Sequence, residues 1–128
     1  MAGSTGYLGK FVTQAFKERG YWVRALTRSE DRLAQPGPFT APGIGPDVDE
    51  VFVGELTRPD TLDGLMDGMD IVFSSVGISR QRDRLTFEQV DYQCNHTLIE
   101  ACIDAGVRKF VYVSMQGADG PELSNLAI

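Results

Sequence analysis

Apolar residues along this chain follow two periods, one typical of helices and one typical of buried strands. Between Leu8 and Phe16 they recur every three or four positions, which predicts an amphipathic helix that Gly20 ends. Runs rich in apolar, aromatic and β-branched residues predict strands, and the run at 70–77 is expected to be covered on both faces. These runs are residues 21–27, 51–53, 70–77 and 107–114.

Two shorter helical segments are predicted between these strands. One is expected to begin within residues 28–33. The other follows Thr57, which we interpret as an N-cap, with Pro59 in the first turn. The buried face of this second helix is expected to consist of Leu62, Leu65, Met66 and Met69.

The longest helix is predicted over residues 87–105. Thr86 and Gln89 have the spacing of a capping box at its start. Residues 35–47 hold four of the six prolines and are expected to form a surface loop. Residues 80–84 are expected to form a charged loop.

The alternation of helices with buried strands predicts an α/β fold with a doubly wound parallel sheet. The chain length fits a single domain over residues 1–128. A glycine turn of the kind described below should follow a strand of about five or six residues, yet only Met1 and Ala2 precede it. We therefore expect the first strand, central in the order 3-2-1-4-5, to be largely missing and the chain to be a fragment. The unpaired edges are expected to favour self-association.

Charge and cysteine content exclude several classes of function. A net charge of −6 argues against nucleic acid and against anionic membrane surfaces as partners. No apolar run approaches the ~18–20 residues that span a bilayer. Cys94 and Cys102 lie too far apart on one predicted helix for a disulfide, and they form no metal-binding motif. Thiols of this kind favour a reducing, cytoplasmic location.

A glycine-rich turn stands almost at the first residue, with Gly3, Gly6 and Gly9 at intervals of three. Glycine lets a pyrophosphate approach the main chain, and the N-terminus of the following helix favours the phosphate charge. We expect a positive φ at Gly6, so that a branched side chain there would disfavour the turn and fill the phosphate space. The spacing differs from G-x-G-x-x-G, so a purely structural role of these glycines stays open.

Other candidate residues follow predicted strands, because ligands of doubly wound sheets bind beyond the carboxyl ends of the strands. Arginine after the strand at 21–27 suits the 2′-phosphate of NADP, whereas NAD enzymes place a carboxylate there. We therefore predict NADP(H) as the cofactor. Glu30 and Asp31 keep NAD(H) open as an alternative. The alternative for Arg28 is a solvated loop position without a ligand. The candidates at strand ends are Thr27, Arg28, Glu55, Leu56, Ser75, Val76, Gly77 and Ser114.

Four segments together resemble the atypical short-chain dehydrogenase/reductases, in the NmrA-like group of NAD(P)-binding proteins. They are residues 2–9 (AGSTGYLG), 23–28 (VRALTR), 54–57 (GELT) and 110–114 (FVYVS). In addition, SVGISRQ and VDYQ resemble one bacterial and plant branch of that group. They are residues 75–81 and 90–93.

The resemblance implies a Rossmann domain with a dinucleotide cofactor. It implies that Arg28 lies near the adenosine ribose, that residues 55–56 flank the adenine, and that residues 75–77 adjoin the nicotinamide ribose. Ser114 matches a serine beside the nicotinamide. Members of the group continue into a substrate-binding part, which we expect residues 1–128 to lack. The turn residues expected to bind the cofactor are Gly3, Ser4, Thr5, Gly6, Tyr7, Leu8 and Gly9.

Two functions of different classes follow. One is an oxidoreductase that moves hydride between NADP(H) and an unknown small carbonyl or alkene substrate. The other is a non-catalytic regulator that senses the nucleotide. The sequence has no Tyr-x-x-x-Lys pair, which favours the regulator, whereas membership of a reductase-rich family favours the enzyme. Two alternatives stay open for Ser114, a catalytic hydrogen-bonding residue and a plain strand terminus.

Overall fold

The computed structural model of this chain describes residues 1–37, 39–78 and 85–114. Within these ranges, short parallel strands alternate with helices, as the hydrophobic pattern predicts. The elements are α1 (Tyr7–Glu18), β1 (Arg24–Thr27), α2 (Asp31–Ala34), β2 (Glu50–Val53), β3 (Ile71–Ser74), α3 (Cys94–Asp104) and β4 (Lys109–Tyr112). Short 3₁₀ turns cover Gly45–Asp47 and Pro59–Thr61, and a π-helical turn over Glu88–Gln93 leads into α3.

The strands form two parallel pairs, β1 with β2 and β3 with β4. Met1 and Ala2 stand between the pairs. The Leu26 N–H donates to the Met1 carbonyl at 3.0 Å, and the Ala2 N–H donates to the Phe73 carbonyl at 2.9 Å. The resulting order is β2, β1, residues 1–2, β3 and β4. This order confirms the predicted doubly wound parallel sheet, whose central position holds only Met1 and Ala2.

Apolar residues cover both faces of the sheet. Because successive side chains of a strand point to opposite faces, Leu26 joins one buried cluster and Ala25 joins another. On the Leu26 face the cluster also contains Leu62, Leu65, Met66, Val72, Leu98 and Cys102. On the Ala25 face it contains Leu33 and Ile44.

The predicted helix after Thr57 is wrong. Only the 3₁₀ turn Pro59–Thr61 forms, and Gly64 and Gly68 then adopt φ values of +77° and +73°, which interrupt a right-handed helix. The Thr57 hydroxyl donates to the Glu55 carboxylate at 2.9 Å instead of capping a helix. Burial of the apolar side chains is nevertheless as predicted for Leu62, Leu65 and Met66.

The proline-rich segment at 35–47 is not wholly a surface loop. Ile44 is fully buried against the Ala25 face, and its N–H donates to the Leu33 carbonyl at 2.8 Å. Lys10, which the helical pattern puts among the polar positions of α1, is also buried. Its ammonium donates to the Gln35 carbonyl at 2.6 Å and to the Leu33 carbonyl at 3.3 Å. Burial lowers the pKa of Lys10, and its hydrogen bonds fasten the end of α2 to α1.

The capping box before the longest helix is confirmed. The Gln89 N–H donates to the Thr86 hydroxyl at 3.2 Å, and the Thr86 N–H donates to the Gln89 side-chain carbonyl at 3.0 Å. The helix that follows differs from the prediction, because its first turn is π-helical before α3 begins at Cys94. The charged loop predicted at 80–84 lies outside the described residues.

The four strands are shorter than most of the predicted runs, because each strand ends where its backbone stops pairing with the neighbouring strand. In particular, residues 75–77 extend beyond β3 and form part of the site described next. No helix in the described ranges has the length and apolar character needed to cross a membrane.

Candidate functional site

A cavity of about 250 Å³ opens at the carboxyl ends of the strands. Ten of the residues predicted from sequence line it together. They are Gly3, Thr5, Gly6, Thr27, Arg28, Glu55, Leu56, Ser75, Val76 and Gly77. Segments after β1, β2 and β3 and the glycine turn therefore meet at one edge of the sheet.

The glycine turn approaches β3 and α1 more closely than side chains would allow. Gly3 has a φ of +80°, and a Cβ atom there would lie 2.7 Å from Ser75 Oγ. At Gly9, a Cβ atom would overlap the Gly3 carbonyl, so this glycine permits the helix to pack on the turn. The positive φ expected at Gly6 is wrong. Gly6 has a φ of −76° and is the N-cap of α1.

Two of the three turn residues at the cavity are glycines, which present only main chain to it. Gly6 lines the cavity without a side chain, and no side-chain hydrogen bond caps the first turn of α1. Such an uncapped helix start supplies N–H groups and a partial positive charge for an anion. Four members of the predicted turn do not line the cavity in the described structure. Ser4 is buried, with its hydroxyl donating to the Leu26 carbonyl at 2.9 Å, Gly9 is buried in the turn, and Tyr7 and Leu8 are exposed.

A tight turn after β1 brings Arg28 to the cavity. The buried Thr27 hydroxyl accepts from the Ser29 N–H at 3.2 Å and donates to the Ser29 carbonyl at 2.8 Å. Both hydrogen-bonding roles of this hydroxyl are therefore used locally, and they shape the turn that holds Arg28. Among the residues that line the cavity in the described structure, Arg28 is the one cationic side chain.

The segment after β2 forms the neighbouring wall. The Gly54 N–H donates to the Thr27 carbonyl at 2.9 Å, and the Glu55 N–H donates to the Thr61 hydroxyl at 2.9 Å. The first bond joins this segment to the turn of Arg28, and the second joins it to the 3₁₀ turn Pro59–Thr61. Glu55 supplies a carboxylate to the cavity on this side.

Side chains from the π-helical turn and α3 hold the segment after β3. Asn95 is buried and donates to the Val76 carbonyl at 3.1 Å, while its own carbonyl accepts from the Ser74 hydroxyl at 2.6 Å. Asp91 accepts from the Ile78 N–H at 3.2 Å. Burial raises the pKa of Asp91, and the Ile78 hydrogen bond opposes that change. Sequence reasoning missed both Asp91 and Asn95.

Seven further residues line the cavity without having been predicted as site residues. Most of them adjoin a predicted segment or lie on the inward face of the longest helix. These two patterns could therefore have identified them from the sequence. The seven residues are Leu26, Gly54, Thr57, Ile78, Leu85, Val90 and Cys94. Burial, followed by the charges of Asp91 and Glu55, raises the pKa of the Cys94 thiol and so keeps it protonated.

The predicted catalytic residue lies apart from this group. Ser114 is exposed just beyond β4 and is not among the described residues that line the cavity. In the described ranges, no three His, Cys, Asp or Glu side chains cluster closely enough to hold a metal ion.

The NAD(P)H-binding family matches residues 3–127, which is nearly the whole chain. This chain belongs to that NAD(P)H-binding family. The resemblance to atypical, NmrA-like short-chain dehydrogenase/reductases is thereby confirmed, and with it a nicotinamide dinucleotide as the cofactor. The bare glycine turn and the uncapped start of α1 fit the pyrophosphate of such a cofactor.

Two relatives illustrate the range of this family. The photosystem II assembly factor Ycf39 of Synechocystis sp. is 30% identical over 124 residues, which cover 96% of this chain and 35% of that protein. The ceramide reductase of Caulobacter vibrioides is 31% identical over 128 residues, which cover 99% of this chain and 37% of that protein. The chain thus spans about a third of the length of these relatives.

Solved structures share the fold. A thiolation-reductase di-domain from an archaeal non-ribosomal peptide synthetase superposes with a TM-score of 0.74 at 18% identity, over 91% of this chain and 34% of that chain. At this identity the match supports the Rossmann architecture alone.

We expect Gly6→Val to weaken NADPH binding more than about tenfold, equivalent to 1.4 kcal/mol or more. The new side chain enters the cavity wall, whereas valine tolerates the extended conformation at Gly6, so the fold should persist. Calorimetric titration measures the affinity, and far-ultraviolet circular dichroism checks the helix content. An unchanged dissociation constant would mean that this glycine is structural only.

Asp91→Asn is expected to raise the unfolding temperature at neutral pH. The pKa of Asp91 is raised in the folded state, so the ionised carboxylate opposes folding above that pKa. This penalty disappears as the pH falls through the folded pKa towards 3.8, the ordinary value. The difference between the two proteins should therefore shrink on acidification. Thermal unfolding across this range measures it.

Glu100→Gln is the control for that comparison, because it neutralises an exposed carboxylate on α3. A lower unfolding temperature for Asp91→Asn at neutral pH, or a difference that does not vary with pH, would contradict the expectation.

Proposed function

We propose that this chain is the NADP(H)-binding part of an oxidoreductase that moves hydride between the cofactor and a small carbonyl or alkene substrate. When bound, the cofactor supplies the hydride chemistry. The chain's own residues bind and orient it at the carboxyl edge of the sheet. The observation that carries the preference for NADP(H) is Arg28 at the cavity wall.

Arg28 has the chemistry and surroundings of a phosphate ligand. It is exposed, and within the described residues it forms no ion pair. A guanidinium presents a planar pair of donors to a phosphate and stays charged at all ordinary pH values. An Arg28 held by the Thr27 turn therefore suits a 2′-phosphate on the adenosine ribose.

The arrangement of acidic residues also favours NADP(H) over NAD(H). A carboxylate that binds the ribose hydroxyls of NAD stands at the end of the corresponding strand. Here that position holds Thr27 and Arg28. Glu30 and Asp31 begin α2, and neither is among the described residues that line the cavity.

The proposal of an oxidoreductase activity is based on similar reductases and on the hydride chemistry of the cofactor. Nearly the whole of this chain is similar to part of the ceramide reductase of Caulobacter vibrioides. In the proposed enzyme, residues 75–77 lie beside the nicotinamide ribose and Ser114 donates a hydrogen bond near the reacting centre. Buried thiols at Cys94 and Cys102 fit a reducing, cytoplasmic location.

A nucleotide-sensing regulator is the second candidate. Ycf39 of Synechocystis sp., which is 30% identical, is named an assembly factor. The sequence of this chain has no Tyr-x-x-x-Lys pair. In this alternative the same cavity binds the dinucleotide, and a partner protein reads the bound state.

Arg28→Ala should weaken NADPH binding about tenfold or more and leave NADH binding unchanged, because hydrogen bonds to charged groups contribute about 1.5–3 kcal/mol each. Arg32→Ala is the matched control, since Arg32 is an exposed arginine of α2 that does not line the cavity. Titration of both nucleotides against the three proteins measures the effect. Equal affinities of the parent protein for NADPH and NADH would refute the NADP(H) assignment.

Hydride transfer is tested with the longest natural polypeptide that contains these residues. We expect it to oxidise NADPH in the presence of at least one member of a panel of small ketones, aldehydes and activated alkenes. The decrease in NADPH absorbance reports the reaction. Tight NADPH binding without oxidation by any panel member would favour the regulator.

A further inference from the structure

We propose that Asn95 is a positioning residue, which sets the affinity of the cavity for the nucleotide half that lies on the β3 side. The inference rests on the proposed function, because it requires the cavity to bind a dinucleotide. Its site of action is the backbone between Ser74 and Ile78, which forms the wall opposite Arg28.

The two halves of a dinucleotide fall on opposite sides of the glycine turn. In the sheet, the turn follows the central residues Met1 and Ala2, Arg28 follows β1 on one side, and Ser75 follows β3 on the other. With the pyrophosphate at the turn and a 2′-phosphate at Arg28, the adenosine half lies on the β1 side. The other half then lies against the segment after β3.

Asn95 organises that segment through both ends of its amide. Its Nδ2 donates to the Val76 carbonyl at 3.1 Å and to the Asp91 carbonyl at 2.9 Å. Its Oδ1 accepts from the Ser74 hydroxyl at 2.6 Å, and that hydroxyl accepts in turn from the Val76 N–H at 3.2 Å. The N–H and the C=O of Val76 are therefore both held by one connected pair of side chains.

The π-helical turn makes these contacts possible. The Cys94 N–H donates to the Gln89 carbonyl, a bond of the i−5 type that widens the helix just before Asn95. The Asp91 carbonyl then accepts a bond from the Asn95 side chain, which joins the wide turn to Val76. Wide turns of this kind often occur at functional sites.

The hydrogen bonds of the Asn95 amide are buried rather than exposed to solvent. Asn95 is 6% exposed and Ser74 is fully buried, so neither has water as a ready substitute partner. Loss of the amide leaves the Val76 carbonyl and the Ser74 hydroxyl without these partners, and the freed segment gains alternative conformations. Val76 and its neighbours Ser75 and Gly77 line the cavity, so that freedom must be lost again when a nucleotide binds.

Comparison of two ligands tests this role. NADPH reaches both sides of the cavity, whereas adenosine 2′,5′-bisphosphate carries only the adenosine half and the 2′-phosphate. In the longest natural polypeptide that contains these residues, we expect Asn95→Ala to weaken NADPH binding about tenfold. Binding of adenosine 2′,5′-bisphosphate should change less than about twofold, because the Arg28 side is untouched. A general loss of structure would weaken both ligands together.

Ser74→Ala provides the same test from the strand side, since it removes the hydroxyl that joins Asn95 to the Val76 N–H. The Ser74→Ala variant is used for the test if Asn95→Ala does not fold. Thr97→Ala is the matched control, because the Thr97 hydroxyl also donates to a carbonyl of the π-helical turn, that of Gln93 at 2.9 Å, and this bond does not reach the segment after β3. We expect the control to bind both ligands like the parent protein.

The outcomes separate the inference from the proposed function. Selective loss of NADPH affinity in Asn95→Ala or Ser74→Ala supports the positioning role. Equal weakening of both ligands, or no change in either, overturns it while the dinucleotide site stands. Failure of the parent protein to bind either ligand overturns the proposed function itself.

Discussion

Main-chain hydrogen bonds of Met1 and Ala2 join the two halves of this molecule. β1 and β2 form one pair of strands and β3 and β4 form the other, and these two residues bridge the pairs through the Leu26 N–H and the Phe73 carbonyl. The cavity depends on this bridge because its walls come from both pairs. Arg28 belongs to the β1 pair and Val76 to the β3 pair. A short stretch of backbone therefore sets the distance across which a dinucleotide is held.

The walls of the cavity differ in how they are fixed. On the β1 side, the Thr27 hydroxyl closes its own turn, and the Gly54 N–H joins the segment after β2 to the Thr27 carbonyl. The β3 side relies on the half-buried Asp91 of the π-helical turn and the buried Asn95 of α3. The first arrangement needs only the local turn at Thr27 and the pairing of β1 with β2. The second needs the correct packing of α3 on the sheet.

This difference explains how much of the site was predictable. Strand ends and the glycine turn have local patterns, and ten residues at the cavity were found from those patterns alone. Asp91 and Asn95 have no such pattern. A regular helical period describes the buried face of α3 well, but the start of this helix is a π-helical turn, and these polar side chains bond to the segment that lines the cavity.

The errors in the fold have the same origin. The apolar spacing of Leu62, Leu65 and Met66 fits a helix, yet the positive φ values of Gly64 and Gly68 replace it with turns that bury the same side chains. Periodicity therefore predicted burial correctly and backbone conformation wrongly. At Lys10, the period predicted exposure, but tertiary packing placed the ammonium against the carbonyls at the end of α2. Such contacts between distant segments leave no trace in a local window of sequence.

The position of the Gly3 carbonyl restricts which substitutions the glycine turn can accept. It accepts from the Gly6 N–H at 3.0 Å, and it occupies the space that a side chain at Gly9 would need. On the opposite side, Gly3 itself lies against Ser75. The turn, the helix start and the end of β3 thus form a single steric unit. A substitution that moves any one of these segments would displace the other two, so we expect the effects of substitutions within this unit to be coupled rather than additive.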